Sequence, residues 1–266
     1  GSDVSGEVIA VESGCQRLRR GDRVWGDIGA NAFFPNGTQT KELGAYGTYA
    51  VALETQLGVF PETLGYVEAG TLPKVSLTSY KALVWYAGAP WKTDDTVVLV
   101  LGGSGGTGTV GIQLAKAFGA SKVITTTSEA NAAYCRSLGA DEVIDYHVAN
   151  WWDVLQPDSV DVVYDTVGQR GTADRAMKII RTNGSFVTIA GSLSNHPKPG
   201  VHQHFFINSD TNLDNYGLLD DLSELAQGGR LRMPSINGTY ALSDVAEAFQ
   251  QSAGGHVVGK IAIRVD

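Results

Sequence analysis

Val97-Val98-Leu99-Val100-Leu101-Gly102-Gly103-Ser104-Gly105-Gly106-Thr107-Gly108 is an apolar run that stops at glycines and leads into Val110, Leu114, Ala117 and Phe118 at helical spacing. A strand, a tight turn and a helix in that order form the setting in which the spacing GxGxxG, here Gly103, Gly105 and Gly108, binds a dinucleotide. Each glycine answers a steric demand: Gly103 for a sharp turn off the strand, Gly105 for close approach of backbone to a pyrophosphate, Gly108 for tight helix–strand packing. Ser104, Gly106 and Thr107 complete the turn. The helix start beyond it offers unpaired N–H groups and a partial positive charge, so phosphates are held there without lysine or arginine.

Downstream, apolar and β-branched runs at 97–101, 122–126, 142–144, 160–164, 185–189 and 205–207 alternate with helical patterns. That alternation predicts an α/β fold of Rossmann type, a doubly wound parallel sheet covered on both faces. Helices are expected from the fingerprint to near Gly119, from Ser128 to Gly139, and from Thr172 to just before Asn183-Gly184, each stopped by a glycine signal. Residues 1–76 read differently, with short alternating strands, Gly-Asp turns and a long loop at 30–44, as in a small β-barrel-like domain. The tail returns to that style, with a helix over 218–225, another opened by Ser243 and running through Gln251, and a closing strand over 257–265. The expected division is a dinucleotide-binding domain at 77–212 and a barrel-like domain from 1–76 and 213–266.

A chain of 266 residues buries a sizeable core as one large domain or two modest ones. The net charge of −8 and the absence of any lysine and arginine cluster beyond the turn carrying Arg17, Arg19, Arg20 and Arg23 argue against nucleic acid and anionic membranes. The longest apolar run, at 96–101, is too short to span a bilayer. Two cysteines, Cys15 and Cys135, make neither a disulfide framework nor a zinc cluster and suit a reducing compartment. The chain enters a strand-like run at 7–11 at once, without an initiator Met, so further sequence is expected upstream.

Several segments carry a resemblance. They are Gly1-Ser2-Asp3-Val4-Ser5-Gly6-Glu7-Val8, Gly21-Asp22-Arg23-Val24-Trp25-Gly26, Leu72-Pro73 with Leu77-Thr78-Ser79-Tyr80, Leu138-Gly139-Ala140-Asp141-Glu142-Val143-Ile144-Asp145-Tyr146, Asp165-Thr166-Val167-Gly168 and Gly259-Lys260. Over essentially the whole chain they resemble zinc-independent quinone oxidoreductases of the medium-chain dehydrogenase/reductase superfamily. The resemblance implies a GroES-like catalytic domain, built from both chain ends, facing a Rossmann domain across a cleft; it also implies that the first strands of the catalytic domain lie upstream of Gly1. A homodimer paired through the edge strand near 205–207 is implied as well. Zinc-dependent members have Gly-His-Glu where this chain has Gly1-Ser2-Asp3, and a cysteine where it has Lys74. Neither position holds the usual ligand, and 27–44 lacks the four cysteines of the structural zinc lobe, so no metal is expected. His202-Gln203-His204 with His196 lacks a further ligand at metal-binding spacing.

NAD-binding Rossmann domains carry an Asp or Glu roughly 20 residues past the glycines, on the ribose hydroxyls. Here the strand ends Thr125-Thr126-Thr127-Ser128, and with no carboxylate to repel a 2′-phosphate the expected cofactor is NADPH. The resemblance implies a phosphate pocket made by a Ser or Thr at this turn, a Lys three residues on and a Tyr after the next strand. Ser128, beside Thr127, and Tyr146 match; Asn131 stands at the lysine position, keeping a donor and losing a charge. The resemblance further implies that Thr78, Thr107, Val167 and Gly168 flank the nicotinamide and that Ala190, Gly191, Phe205 and Phe206 meet its carboxamide. Asp165 reads as a turn cap and not as an acid or base.

The implied reaction is hydride transfer from NADPH to a quinone or an α,β-unsaturated carbonyl, which needs a group to take charge on the carbonyl oxygen. Lys74, Tyr46, Tyr49 and Tyr80 are the candidates, each with packing as its other reading. Phe33 and Phe34, in the long loop, are candidate substrate contacts. Two other functions fit less well: an enoyl-thioester reductase would need a basic groove for a phosphopantetheine or coenzyme A arm, and a non-catalytic NADPH-binding protein would keep only the cofactor domain. Expected partners are a small carbonyl or quinone substrate and a second copy of the chain, with no nucleic acid and no membrane span. The expected location is cytoplasmic, or an organelle should a targeting peptide precede Gly1.

Overall fold

A computed structural model describes residues 1–29, 32–33, 39–40, 44–207 and 215–265. The chain forms two compact units, Gly1–Leu77 with Asn208–Asp266, and Thr78–Ile207.

The first unit opens with β1 (Asp3–Glu7), β2 (Arg23–Asp27), the two-residue strands β3 (Ala32–Phe33) and β4 (Gln39–Thr40), and β5 (Leu57–Val59). β2 lies between β1 and β5 in an antiparallel sheet, and β3 pairs with β4. Alternation along β2 sends Val24 into a cluster with Leu18, Ile28 and Leu57, while its neighbour Trp25 is fully buried. Two helices follow, α1 (Tyr66–Ala69) and α2 (Pro73–Lys81). Proline opens α2, where its missing N–H has no partner to lose.

The second unit is a sheet of six strands, β6 (Val97–Leu101), β7 (Lys122–Thr127), β8 (Glu142–Asp145), β9 (Val160–Asp165), β10 (Ile180–Thr188) and β11 (His202–Phe205). The strands run parallel in the order β11-β10-β9-β6-β7-β8, the doubly wound arrangement that the alternating pattern predicts. Four helices connect them: α3 (Gly106–Ala117), α4 (Ala132–Ser137), α5 (Trp151–Val154) and α6 (Thr172–Ile179). Leu99, Leu101, Ile124, Val163 and Phe186 pack with Trp151 of α5 and with Ala173, Ala176 and Met177 of α6. On the other face Val100 and Tyr164 lie against Gly111 of α3. Both sheet faces are covered, which explains why its inner strands are apolar without alternation.

β1 spans Asp3–Glu7 and not the strand-like run read at 7–11, and two strands of the six-stranded sheet also depart from the sequence reading. β11 begins at His202, upstream of the apolar run at 205–207, because it is an edge strand whose backbone pairs with Ser185–Thr188 while much of its surface faces outward. Polar residues serve such a strand well, and a search for buried runs passes over them. β10 begins at Ile180, which already pairs with Val160, and its register shifts before Ser185; Asn183, at φ 68°, lies inside that irregular stretch, so α6 ends at Ile179 and not at the Asn-Gly pair.

The tail adds α7 (Tyr216–Gln227), β12 (Ile236–Ala241), α8 (Val245–Ala253) and β13 (Lys260–Arg264). Ser223 Oγ of α7 donates to the Val59 carbonyl at 3.0 Å, and the fully buried Leu219 packs on Gly58. β12 pairs in parallel with β13. Asp244, and not Ser243, occupies the cap position of α8; the Ser243 hydroxyl turns to the Asp244 carboxylate at 3.0 Å.

Candidate functional site

The strand order reverses between β6 and β9, and in open parallel sheets the crevice beyond the strand ends at such a point is where ligands bind. The glycine turn follows β6 and the Asp165–Gly168 turn follows β9, so topology alone brings the two motifs together. Contacts confirm it: Thr166 Oγ1 donates to the Leu101 carbonyl at 2.7 Å, and Gly102 lies directly beneath the Val167 and Thr166 side chains.

Within the glycine turn the tasks fall differently from the sequence reading. Gly102, at φ +79°, makes the turn, a conformation that strains any residue with a Cβ. Gly103 instead is needed for closeness, since a Cβ there would overlap the Thr125 hydroxyl. Gly108 packs α3 onto the turn, and a Cβ there would overlap the Gly102 carbonyl. Gly105 caps α3 in an extended conformation, and a Cβ built on it would meet nothing nearer than the Gly102 carbonyl oxygen at 3.4 Å. The turn is held from the β7 side by three threonines. Thr125 Oγ1 donates to the Val100 carbonyl at 2.7 Å, Thr126 Oγ1 accepts from the Gly102 N–H at 3.0 Å, and Thr127 Oγ1 donates to Ser104 Oγ at 2.8 Å.

At the end of β7, where the resemblance sets the 2′-phosphate pocket, Ser128 holds the cap position of a short turn over Glu129–Asn131 but its hydroxyl makes no capping bond. Its Oγ accepts from Asn131 Nδ2 at 3.2 Å, so two of the residues expected at a 2′-phosphate stand side by side. The Tyr146 N–H donates to the Thr127 carbonyl at 3.3 Å, which places Tyr146 next to the same turn. Its ring is half exposed and leans on His147, with centroids 4.2 Å apart. The His147 backbone N–H, together with its ring, holds the Asp145 carboxyl below the usual carboxylate range.

At the turn after β9, which the resemblance sets beside the nicotinamide, Asp165 is buried and its carboxylate accepts from the Val167 and Gly168 N–H groups, both at 3.0 Å, and from Thr188 Oγ1 at 3.1 Å. Thr188 Oγ1 accepts in turn from the Gly191 N–H at 3.0 Å. The Phe206 N–H donates to the Thr188 carbonyl at 3.2 Å, so Val167, Gly168, Ala190, Gly191, Phe205 and Phe206 converge around one strand end. Thr78 is buried, and the adjacent Ser79 Oγ donates to the Thr107 carbonyl at 3.1 Å. Tyr80 packs edge-on against Phe118 at 5.5 Å. His204 lies against the Tyr86 ring at 4.9 Å, and its burial lowers the imidazole below its ordinary value. Among the described residues no group of three or more His, Cys, Asp and Glu is disposed to hold a metal ion.

In the other unit, Lys74 Nζ pairs with the buried Asp27 carboxylate at 2.9 Å, and the Lys74 N–H donates to Asp3 Oδ1 at 2.6 Å. Burial pushes the Asp3 carboxyl up, against the opposing pull of Lys260. Tyr46 packs edge-on against Phe249 at 5.9 Å, and Tyr49 is exposed. The Phe33 side chain and Phe34 lie outside the described residues. Sequence reasoning missed Gly102, Thr166 and Thr188; the first glycine after the strand was the one available signal, since side-chain hydrogen bonds across a sheet leave no spacing to read.

A family described as zinc-binding dehydrogenase matches residues 138–263. The chain is 33% identical over 266 residues to "NADPH-dependent alkenal/one oxidoreductase, chloroplastic" of Arabidopsis thaliana, covering 99% of this chain and 63% of that protein. It is 30% identical over 295 residues to "NAD(P)H oxidoreductase RTN4IP1, mitochondrial" of Mus musculus, covering 100% of this chain and 70% of that protein. The solved structure of the quinone oxidoreductase from Coxiella burnetii is 28% identical with a TM-score of 0.77, covering 100% of this chain and 79% of that one. The chain thus spans less than two thirds of the length of the plant relative. Similarity that runs from end to end of the chain and carries the same fold is the mark of common descent, and the chain belongs to the quinone oxidoreductase-type members of the medium-chain dehydrogenase/reductase superfamily.

Proposed function

We propose that the protein is an NADPH-dependent oxidoreductase that transfers hydride to a quinone or an α,β-unsaturated carbonyl and needs no zinc. Gly105 carries the reading. Of the three glycines in the GxGxxG spacing it alone has a Cβ position that no protein atom crowds, and it stands at the N-terminus of a twelve-residue helix, where a pyrophosphate would approach. The absence of a carboxylate among Thr125, Thr126, Thr127 and Ser128 supports NADPH over NADH, and the name of the Arabidopsis relative supports both the cofactor and the substrate class.

In this reading Thr78–Ile207 is the cofactor domain and Gly1–Leu77 with Asn208–Asp266 the GroES-like catalytic domain. The turn from Gly103 to Gly108 holds the pyrophosphate, Thr127, Ser128, Asn131 and Tyr146 the 2′-phosphate side, and Thr78, Thr107, Val167, Gly168, Ala190, Gly191, Phe205 and Phe206 the nicotinamide side. NADPH, when bound, supplies the hydride. The protein orients the ring and takes up charge on the substrate oxygen, and for that task Lys74 is preferred to the tyrosines. Its ammonium is fixed by Asp27, whereas Tyr46 and Tyr80 are engaged in ring packing. With its charge balanced by Asp27, an ammonium at a position where zinc-dependent relatives carry a metal ligand serves as a hydrogen-bond donor to a substrate oxygen without a metal. Phe33 and Phe34 remain proposed substrate contacts. The proposed homodimer rests on the edge strand β11, at whose end Phe205 and, just beyond it, Ile207 are half exposed. A cytoplasmic location rests on the free thiols Cys15 and Cys135, and cell fractionation checks it.

The test is cofactor oxidation with a panel of quinones and enones, run with NADPH and NADH and with and without a chelator. Faster turnover with NADPH, unchanged by chelation, is the expected result. Intact NADPH binding without turnover of any acceptor would contradict the enzymatic reading.

A further inference from the structure

Two turns that the proposed function assigns to the nicotinamide, at Val167–Gly168 and Ala190–Gly191, come from the ends of adjacent strands β9 and β10 and have no sequence continuity. They are nevertheless joined through one buried pair. Asp165, 1% exposed, accepts from both N–H groups of the first turn through Oδ1 and from Thr188 Oγ1 through Oδ2; Thr188 Oγ1 then accepts from the Gly191 N–H at 3.0 Å and the Ala190 N–H at 3.4 Å. The turns also touch directly, since at Gly168, φ +73°, a Cβ would overlap the Ala190 carbonyl. A carboxylate in this setting would be costly to bury unless its lone pairs were satisfied; here the first turn donates to it directly, and the second turn reaches it through the Thr188 hydroxyl.

We infer that Asp165 and Thr188 form a hydrogen-bonded clasp that fixes the spacing of these two turns and so positions the nicotinamide half of the cofactor, while leaving the adenosine half to the β7 and β8 ends. Both are positioning residues, acting through backbone N–H groups. The inference rests on the cofactor reading above, and the test separates the two.

Calorimetric titration of the full chain with NADPH and with adenosine 2′,5′-bisphosphate compares the whole cofactor with its adenosine half. Thr188→Val keeps the side-chain shape and removes the hydroxyl that donates to Asp165 and accepts from the Ala190 and Gly191 N–H groups; losing these three bonds weakens NADPH by about tenfold or more, while the bisphosphate binds as to wild type. Thr188→Ser restores NADPH affinity. Asp165→Asn, in which an N–H₂ group must face Thr188, repeats the comparison should Thr188→Val not fold. Equal weakening of both ligands, or unchanged NADPH affinity in Thr188→Val, overturns the clasp. Wild-type protein that binds neither ligand overturns the cofactor reading itself and the clasp with it.

Discussion

Gly105 and Gly108 stand three residues apart and lack side chains for opposite reasons, one for space that the protein leaves open and the other for contact that it makes. Gly105→Val therefore loses NADPH binding with little change in melting temperature, because the extended backbone of Gly105 accepts a branched residue. Gly108→Ala instead destabilises the fold by about 1–3 kcal/mol through forced overlap with the Gly102 carbonyl. Paired melting curves and fluorescence titrations check both, and near-normal affinity in Gly105→Val would make the turn merely structural. The motif was legible because spacing is a property of the sequence. The division of labour inside it was not: nothing in GGSGGTG says that Gly102 adopts the positive φ, or that hydroxyls of the Thr125–Thr127 strand end tie the turn down.

At the scale of elements, Asp141 ties β7 to the chain entering β8. Its Oδ2 accepts from the Val123 N–H at 2.7 Å and pairs with Lys116 Nζ at 2.6 Å. Burial pushes this carboxyl up, but the Lys116 ammonium and the Val123 N–H outweigh it and hold the group below its ordinary value of 3.8. A lowered folded-state value means that the stabilisation is present above the unfolded value and is lost as pH falls through the folded one. Melting temperature followed from about pH 5 to about pH 3 should thus drop less in Asp141→Asn than in wild type; parallel curves would show that the pair contributes nothing. The inner strands β6, β7 and β9 were legible as apolar runs because both of their faces are covered. β11 was misplaced by three residues, since an edge strand such as His202–Phe205 carries its identity in backbone pairing and not in side-chain pattern.

For the whole molecule, the proposed homodimer predicts a light-scattering mass of twice the chain's 28.1 kDa, and a strict monomer at high concentration would leave the β11 edge unexplained. Elemental analysis after purification should find no stoichiometric zinc, and zinc that survives chelation would contradict the role given to Lys74. The central claim is a site selective for NADPH, built where the sheet order reverses between β6 and β9. Fluorescence titration of the full chain with NADPH and NADH, in wild type and Tyr146→Phe, tests it most directly. NADPH should bind more tightly than NADH, and loss of the Tyr146 hydroxyl should weaken NADPH while leaving NADH unchanged; equal or tighter binding of NADH to the wild type would contradict the account.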